Sequence, residues 1–225
     1  MEIIIMQELN KIEIRIIGAL IEKKYTTPDY YPLTLNSLKN ACSQKSNRNP
    51  VMEIDKSNIL RALDNLRDLK LVKKVESANF RVPKYEESFC EFFNLKEDEI
   101  AVISVLMLRG AQTLGQLRSR TKRIHEFNSL GEVKETLECL GNKEPAMISE
   151  IGRQPGKKEN RFIHLLAREP EFENNQTDEI TDEKERIKII NENEMIKQLS
   201  DRVEQLEKKM NSVEKKLDDF IEQFK

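Results

Sequence analysis

"TTPDYYPLTLNSLKNACSQKSNRNPV", residues 26–51, sits between two segments of plain helical periodicity, and its reading decides the fold. As a catalytic or nucleic-acid-reading loop it would be a functional insertion. As turn-rich scaffold it supplies the short second helix of a three-helix unit. The residues favour scaffold. Thr34 can cap a short helix whose inner face carries Leu35, Leu38, Ala41 and Cys42. Pro28 and Pro32 precede it. Asn47, Asn49 and Pro50 close it, because Asn tolerates the left-handed conformation and Pro cannot continue a helix. Tyr30 and Tyr31 either cover the edge of the core or present a stacking face. That leaves Lys45 and Arg48, cations at the turn into the next helix, as candidates for phosphate contact.

Upstream, Leu9, Ile12, Ile16, Ala19 and Leu20 recur at helical spacing, with Asn10 as cap and Pro28 as stop. Downstream, Asp55 begins a third helix striped by Ile59, Ala62, Leu63, Leu66 and Leu69. "LVKKVES" (71–77) and "FRVPKYE" (80–86) then read as two strands around a turn at Ala78-Asn79. The same order returns. A helix over 95–108 is capped near Asn94, Thr113 caps a short one through Leu117, and Ser129 opens a third with Val133, Leu137 and Leu140. "AMISEIGR" (146–153) and "RFIHLLA" (161–167) flank a Pro155-Gly156 turn. Three helices and a hairpin, twice over, predict an α+β, mainly helical fold. It comprises two tandem winged-helix domains, residues 1–90 and 91–168, followed by a C-terminal coiled-coil helix.

Residues 169–186 are acidic and poor in apolar side chains, which predicts a flexible linker. Residues 187–225 are periodic. Ile196, Val203, Met210, Leu217 and Phe224 fall every seven residues, interleaved with Leu199, Leu206, Val213 and Phe220. This is an a/d seam about 43 Å long at 1.5 Å per residue. In a parallel pair Arg202 would meet Glu207 and Lys209 would meet Glu214. An antiparallel pair would set like charges together, so the expectation is a parallel homodimer. A lone amphipathic helix folded back on the preceding domains is the alternative.

Composition narrows the function. The net charge is −2, with 38% hydrophobic and 35% charged residues. No global attraction to nucleic acid or membrane follows from that balance, so any such contact needs a local patch. The three cysteines, Cys42, Cys90 and Cys139, are scattered and odd in number. They are expected as buried thiols in a reducing compartment, which with the absence of a signal-like start predicts a cytoplasmic protein.

Catalytic signals are missing from the sequence. Its two histidines, His125 and His164, have no second ligand at metal spacing. There is no CxxC, HExxH, nucleophile elbow or glycine-rich phosphate loop. The expectation is a non-enzyme with no catalytic residues, no metal and no cofactor. Basic clustering is the remaining lead. Residues 109–125, "RGAQTLGQLRSRTKRIH", contain Arg118, Arg120, Lys122 and Arg123 and no acid, and the second hairpin adds Lys157, Lys158 and Arg161. In the first unit, Lys56 and Arg61 lie on the third helix. Cations at a helix end and a hairpin can hold phosphates. Glu132, Glu135 and Glu138 on the corresponding helix of the second unit oppose that reading there.

The long motifs "TTPDYYPLTLNSLKNACSQKSNRNPV", "LRGAQTLGQLRSRTKRIHEF" and "PGKKENRFIHLL", with the entry helix "EIRIIGALIEKK", resemble the bacterial YceH family. The resemblance covers about Leu9 to Leu166 and implies two winged-helix domains in a cytosolic bacterial protein. It carries no activity or site residues. Two functions are weighed. One is a dimeric DNA-binding or transcription-related protein whose partner is duplex DNA. The other is a protein-interaction scaffold using winged-helix surfaces, as in ScpB-like chromosome-condensation partners, an argument by fold analogy.

Overall fold

Asn10 sets the first helix. Its side chain accepts from the Ile12 and Glu13 N–H groups, and the Glu13 carboxylate accepts from the Asn10 N–H at 2.8 Å. Two orphan donors at the helix start are thereby satisfied reciprocally. The helix, α1, runs Lys11–Thr26, continuing past Leu20, the last apolar residue of the periodic stretch that announces it. Its buried positions run without a break from Glu13 to Ile21, so it lies inside the molecule and is not a surface stripe. The computed structural model describes residues 9–76, 82–152 and 159–167, which belong to one compact unit. The linker 169–186, the coiled-coil segment 187–225 with its seam residues, and Lys157 and Lys158 lie outside the described residues.

A 3-10 turn, Pro28–Tyr30, follows, and then β1, Leu33–Thr34. Thr34 caps α2, Leu35–Cys42, by accepting from the Ser37 N–H at 3.2 Å. Leu38, Ala41 and Cys42 are buried on its inner face, as the spacing predicts. The helix stops at Cys42, well before Asn47 and Pro50. Asn47 does take the left-handed conformation (φ 59°), in the loop beyond the helix and not at its cap. Tyr30 is 77% exposed, which excludes it from the core edge, whereas the Tyr31 hydroxyl accepts from the Glu87 N–H at 2.7 Å.

Asp55 caps α3, Lys56–Asp68, which buries Ile59, Ala62, Leu63 and Leu66. The strands β2, Val72–Val75, and β3, Lys84–Glu87, pair antiparallel with Val72 opposite Glu87 and Val75 opposite Lys84. β1 adds to the other side of β3, Leu33 opposite Tyr85, giving the order β1-β3-β2. Two residues are too few to show a period, which is why β1 was invisible in the sequence. A single helical turn, α4, Phe89–Phe92, places Phe89 in the core with its ring 4.8 Å from that of Phe93.

The order of elements then repeats. α5, Glu97–Arg109, is buried nearly all round like α1. Its start is organised by Glu99, whose carboxylate accepts from the Lys96 N–H at 2.9 Å, and not by Asn94, which sits left-handed (φ 47°) in the preceding turn. Thr113 and Gln116 cap α6, Leu114–Arg120, reciprocally. Ser129 caps α7, Leu130–Gly141, which buries Val133, Thr136, Leu137 and Leu140. β4, Ile148–Ile151, and β5, Arg161–His164, pair antiparallel. Gln112 bridges the far side of β5 through Phe162, at 3.0 and 2.8 Å, as β1 does for β3. Roughly half of the described residues are helical, and the sheets are small and antiparallel.

One hydrophobic core runs through both repeats, because α1 packs α2 and α3 on one side and α5 on the other. The closest approach is at Gly18, where a Cβ would lie 3.0 Å from Leu108 Cγ and 3.1 Å from Met107 Cβ. The loop 43–50 completes this joint. Arg15 of α1 donates to the carbonyls of Cys42 and Pro50, at 3.3 and 2.8 Å. The Asn49 N–H donates to the Leu108 carbonyl at 2.9 Å, and Arg109 donates to the Asn47 side chain. The loop therefore carries both repeats' contacts on one short stretch of backbone.

Candidate nucleic-acid interface

The exposed side of α3 is fixed from its first residue. The Asp55 carboxylate accepts from the Asn58 N–H and the Ser57 hydroxyl, both at 2.8 Å, and these bonds hold its pKa below the ordinary carboxylate value. With Ile59, Ala62, Leu63 and Leu66 turned inward, helical periodicity turns Arg61 and Asp64 outward, with Asn58 and Asn65 along one edge. Asn10 and Lys11 of the α1 start meet that edge, and together they line a shallow depression of about 360 Å³ with Arg61 at its rim. Asn65 is anchored there by donating to Glu13 Oε1 at 3.1 Å. Lys45, Lys56 and Arg61 are exposed, and among the described residues none of the three is taken up by an ion pair. Asp64 is partly offset by Arg67, 3.2 Å away, while Asp68 remains on the same helix as an exposed acid.

The other candidates fare differently. Arg48 is a correction: it is buried, not presented to solvent. Its guanidinium donates to both Glu22 oxygens, at 3.1 and 2.6 Å, and to the carbonyls of Ala41 and Asn47. No group is left to reach a phosphate. Arg118 is exposed, yet it donates to the Phe127 and Asn128 carbonyls, at 3.3 and 2.7 Å, and so holds the α6–α7 connection. Arg120 donates to the Gln112 side chain, and Arg161 to the Ala111 carbonyl at 3.0 Å. Lys122 lies 3.5 Å from Glu126. Arg123 is exposed, with Lys23 nearby. Burial, together with the Arg48 and Arg123 guanidiniums, outweighs Glu22 and holds Lys23 below the ordinary ammonium value. The cluster that looked most like a phosphate site in the sequence is largely occupied with its own fold.

On α7 the exposed residues include Glu135 and Glu138, with Lys134 3.7 Å from Glu138. The usable basic surface therefore lies on the first repeat. Asn58 and Asn65 are readable in the sequence as outward positions of the third helix, whereas the placing of Asn10 and Lys11 beside them was missed, since nothing local in the sequence says that the start of α1 meets the middle of α3. Cys42 and Cys90 are buried, and burial pushes the Cys42 thiol up to about 12 and Cys90 up as well. Cys139 is exposed, contrary to expectation. Among the described residues no group of three His, Cys, Asp or Glu could hold a metal ion, and no helix is long and apolar enough to cross a membrane.

The sequence matches, over residues 9–157, the family described as "Protein of unknown function, DUF480". The chain belongs to the DUF480 family. The match takes in the first repeat from Leu9 onward and the second as far as its hairpin, which is most of the Leu9–Leu166 stretch that carries the resemblance to YceH. Members of this family include UPF0502 proteins of Geotalea daltonii and Geobacter sulfurreducens. The first is 45% identical over 217 residues and the second 45% over 219, each alignment covering 96% of this chain and 98% of the relative. The UPF0502 protein of Opitutus terrae is 48% identical over 160 residues, 71% of this chain and 70% of its own. The Geotalea and Geobacter alignments extend well past the DUF480 region, into the part of the chain with the heptad pattern.

Proposed function

We propose that this chain is a cytoplasmic, non-enzymatic DNA-binding protein. Its two repeats act as tandem winged helices, residues 1–90 and 91–168, and the segment 187–225 pairs two copies as a parallel coiled coil. In this reading α3 is the reading helix of the first repeat, with β2–β3 as its wing. The observation that carries the proposal is the exposed α3 face, where Lys56 and Arg61 stand clear of ion pairs beside the Asn58 and Asn65 amides. Guanidinium and amide groups on one helix face suit the donor and acceptor pattern of a major groove. The heptad seam supports a dimer, which would present two such faces to a two-fold site.

The test is fluorescence anisotropy of the full chain against a random duplex pool, titrated at several salt concentrations. Salt-dependent binding is expected, and Lys56→Ala with Arg61→Ala should lower the slope of log K against log salt by about 2, one contact for each cation removed. Arg118→Ala with Arg120→Ala should act through the stability of the α6–α7 connection instead. Absence of duplex binding at low salt by a folded, dimeric protein would refute the reading.

A further inference from the structure

The second repeat carries a groove that the DNA reading leaves unused. It is about 720 Å³ in volume and lies between the exposed edge of α7, the start of α6 and one face of the β4–β5 hairpin. Its apolar lining comes from Leu114, Leu130, Leu137, Ile148 and Phe162. Leu137 and Ile148 are buried at its base, while Leu130, at the mouth, is 47% exposed, a large apolar side chain with nothing over it among the described residues. Three carboxylates edge the groove: Glu138 from α7, Glu150 from β4, and Glu159. Lys134 is the one ammonium among the described lining residues, and it is already 3.7 Å from Glu138. The Asn160 side-chain amide donates to Glu150 and holds that carboxylate at the rim.

An apolar trough with an acidic rim repels a phosphate backbone and complements a cation. We propose that this groove docks a peptide segment of a partner protein, one that places large aliphatic or aromatic side chains in the trough and lysine or arginine beside them. Leu130 is the anchor contact and Glu138, Glu150 and Glu159 set the charge preference. The volume is within the range of pockets that enclose a few side chains. The site is independent of α3, so a protein can hold DNA with one repeat and a partner with the other.

The experiment is selection of a random 16-residue peptide display library on the immobilised full chain, followed by anisotropy with the enriched peptides. Enriched sequences should combine Leu, Ile, Phe or Met with net positive charge. Leu130→Arg should weaken them at least tenfold. Glu138→Lys with Glu150→Lys should weaken cationic peptides similarly and shift fresh selections toward acidic ones. Lys56→Ala with Arg61→Ala should bind the peptides as the parent does. Failure to enrich any peptide, enrichment of uncharged or acidic ones, or indifference to both groove variants overturns the proposal. So does loss of duplex binding in the groove variants in place of peptide binding, since that makes the groove a nucleic-acid surface. Circular dichroism of the exposed-site variants separates any of these results from unfolding.

Discussion

Arg48 Nη2 lies 2.6 Å from Glu22 Oε2, the arginine side chain fully buried and the glutamate partly so. Twenty-six residues separate them, and their fork-to-carboxylate pairing pins the 43–50 loop to α1. Breaking a buried pair leaves an uncompensated charge, so Glu22→Ala should cost about 3 kcal/mol. Replacing both partners, Glu22→Leu with Arg48→Met, should cost clearly less than the sum of the single changes. Urea denaturation of the four proteins forms the cycle. A loss under about 1 kcal/mol for Glu22→Ala would show the pair to be incidental.

Gly18 and Gly115 should respond oppositely to the same substitution. Both are helical, and alanine in place of glycine favours a helix by about 0.8–1 kcal/mol. At Gly115 a Cβ meets nothing closer than Thr113 Oγ1 at 4.0 Å, so Gly115→Ala should stabilise. At Gly18 it would press on Leu108 Cγ and Met107 Cβ, atoms close to the α5 backbone that cannot swing away. Gly18→Ala should therefore destabilise by about 1 kcal/mol net, and Gly18→Val by more, because overpacking forces the two helices apart. Thermal melts of the three variants check the sign.

The local rules carried most of the fold. Caps at Asn10, Thr34, Asp55, Thr113 and Ser129 and the apolar stripes of α2, α3 and α7 were readable because each depends on residues a few positions apart. The joint was not readable. Arg48 looks like a surface cation in the sequence, and only the folding of the 43–50 loop against α1 and α2 encloses it with Glu22 and the Ala41 and Asn47 carbonyls. The same limit explains the basic cluster. Arg118 and Arg120 form a stripe of charge in the letters, but their carbonyl and amide partners come from other turns of the chain. A count of charges cannot tell a structural guanidinium from a free one.

The cysteines should sort by accessibility. Cys42 and Cys90 are buried and their thiols are pushed up by burial, with Glu87 adding to the effect at Cys90, so both are poor nucleophiles in the folded protein. Cys139 faces solvent on α7. A thiol-reactive chromophore at neutral pH should modify one cysteine per native chain, and Cys139→Ser should abolish that reaction. The other two should react only after denaturation. Rapid native labelling of the Cys139→Ser protein would show that the α1–α2 or α4 region opens.

His164 should make the fold sensitive to mild acid. Burial pushes its imidazole down to about 4, and among the described residues its Nδ1 finds no hydrogen-bond partner. Lys11 and Arg15 line the same small cavity, so neither neighbour favours a second positive charge. Above the ordinary histidine pKa of about 6.5 both the folded and the unfolded chain hold the ring neutral, and it contributes no pH dependence. As pH falls below that value the unfolded chain takes up a proton and the folded chain does not, so stability is lost until the folded pKa is reached. Between about pH 7.5 and pH 5 the loss from this one group should be about 2 kcal/mol. The carboxylates titrate over part of the same range, so the informative quantity is the difference between the parent and His164→Leu. Urea midpoints of the parent should fall more steeply with acid than those of the variant. Parallel curves would mean that the imidazole is protonated as readily in the folded chain as in the unfolded one.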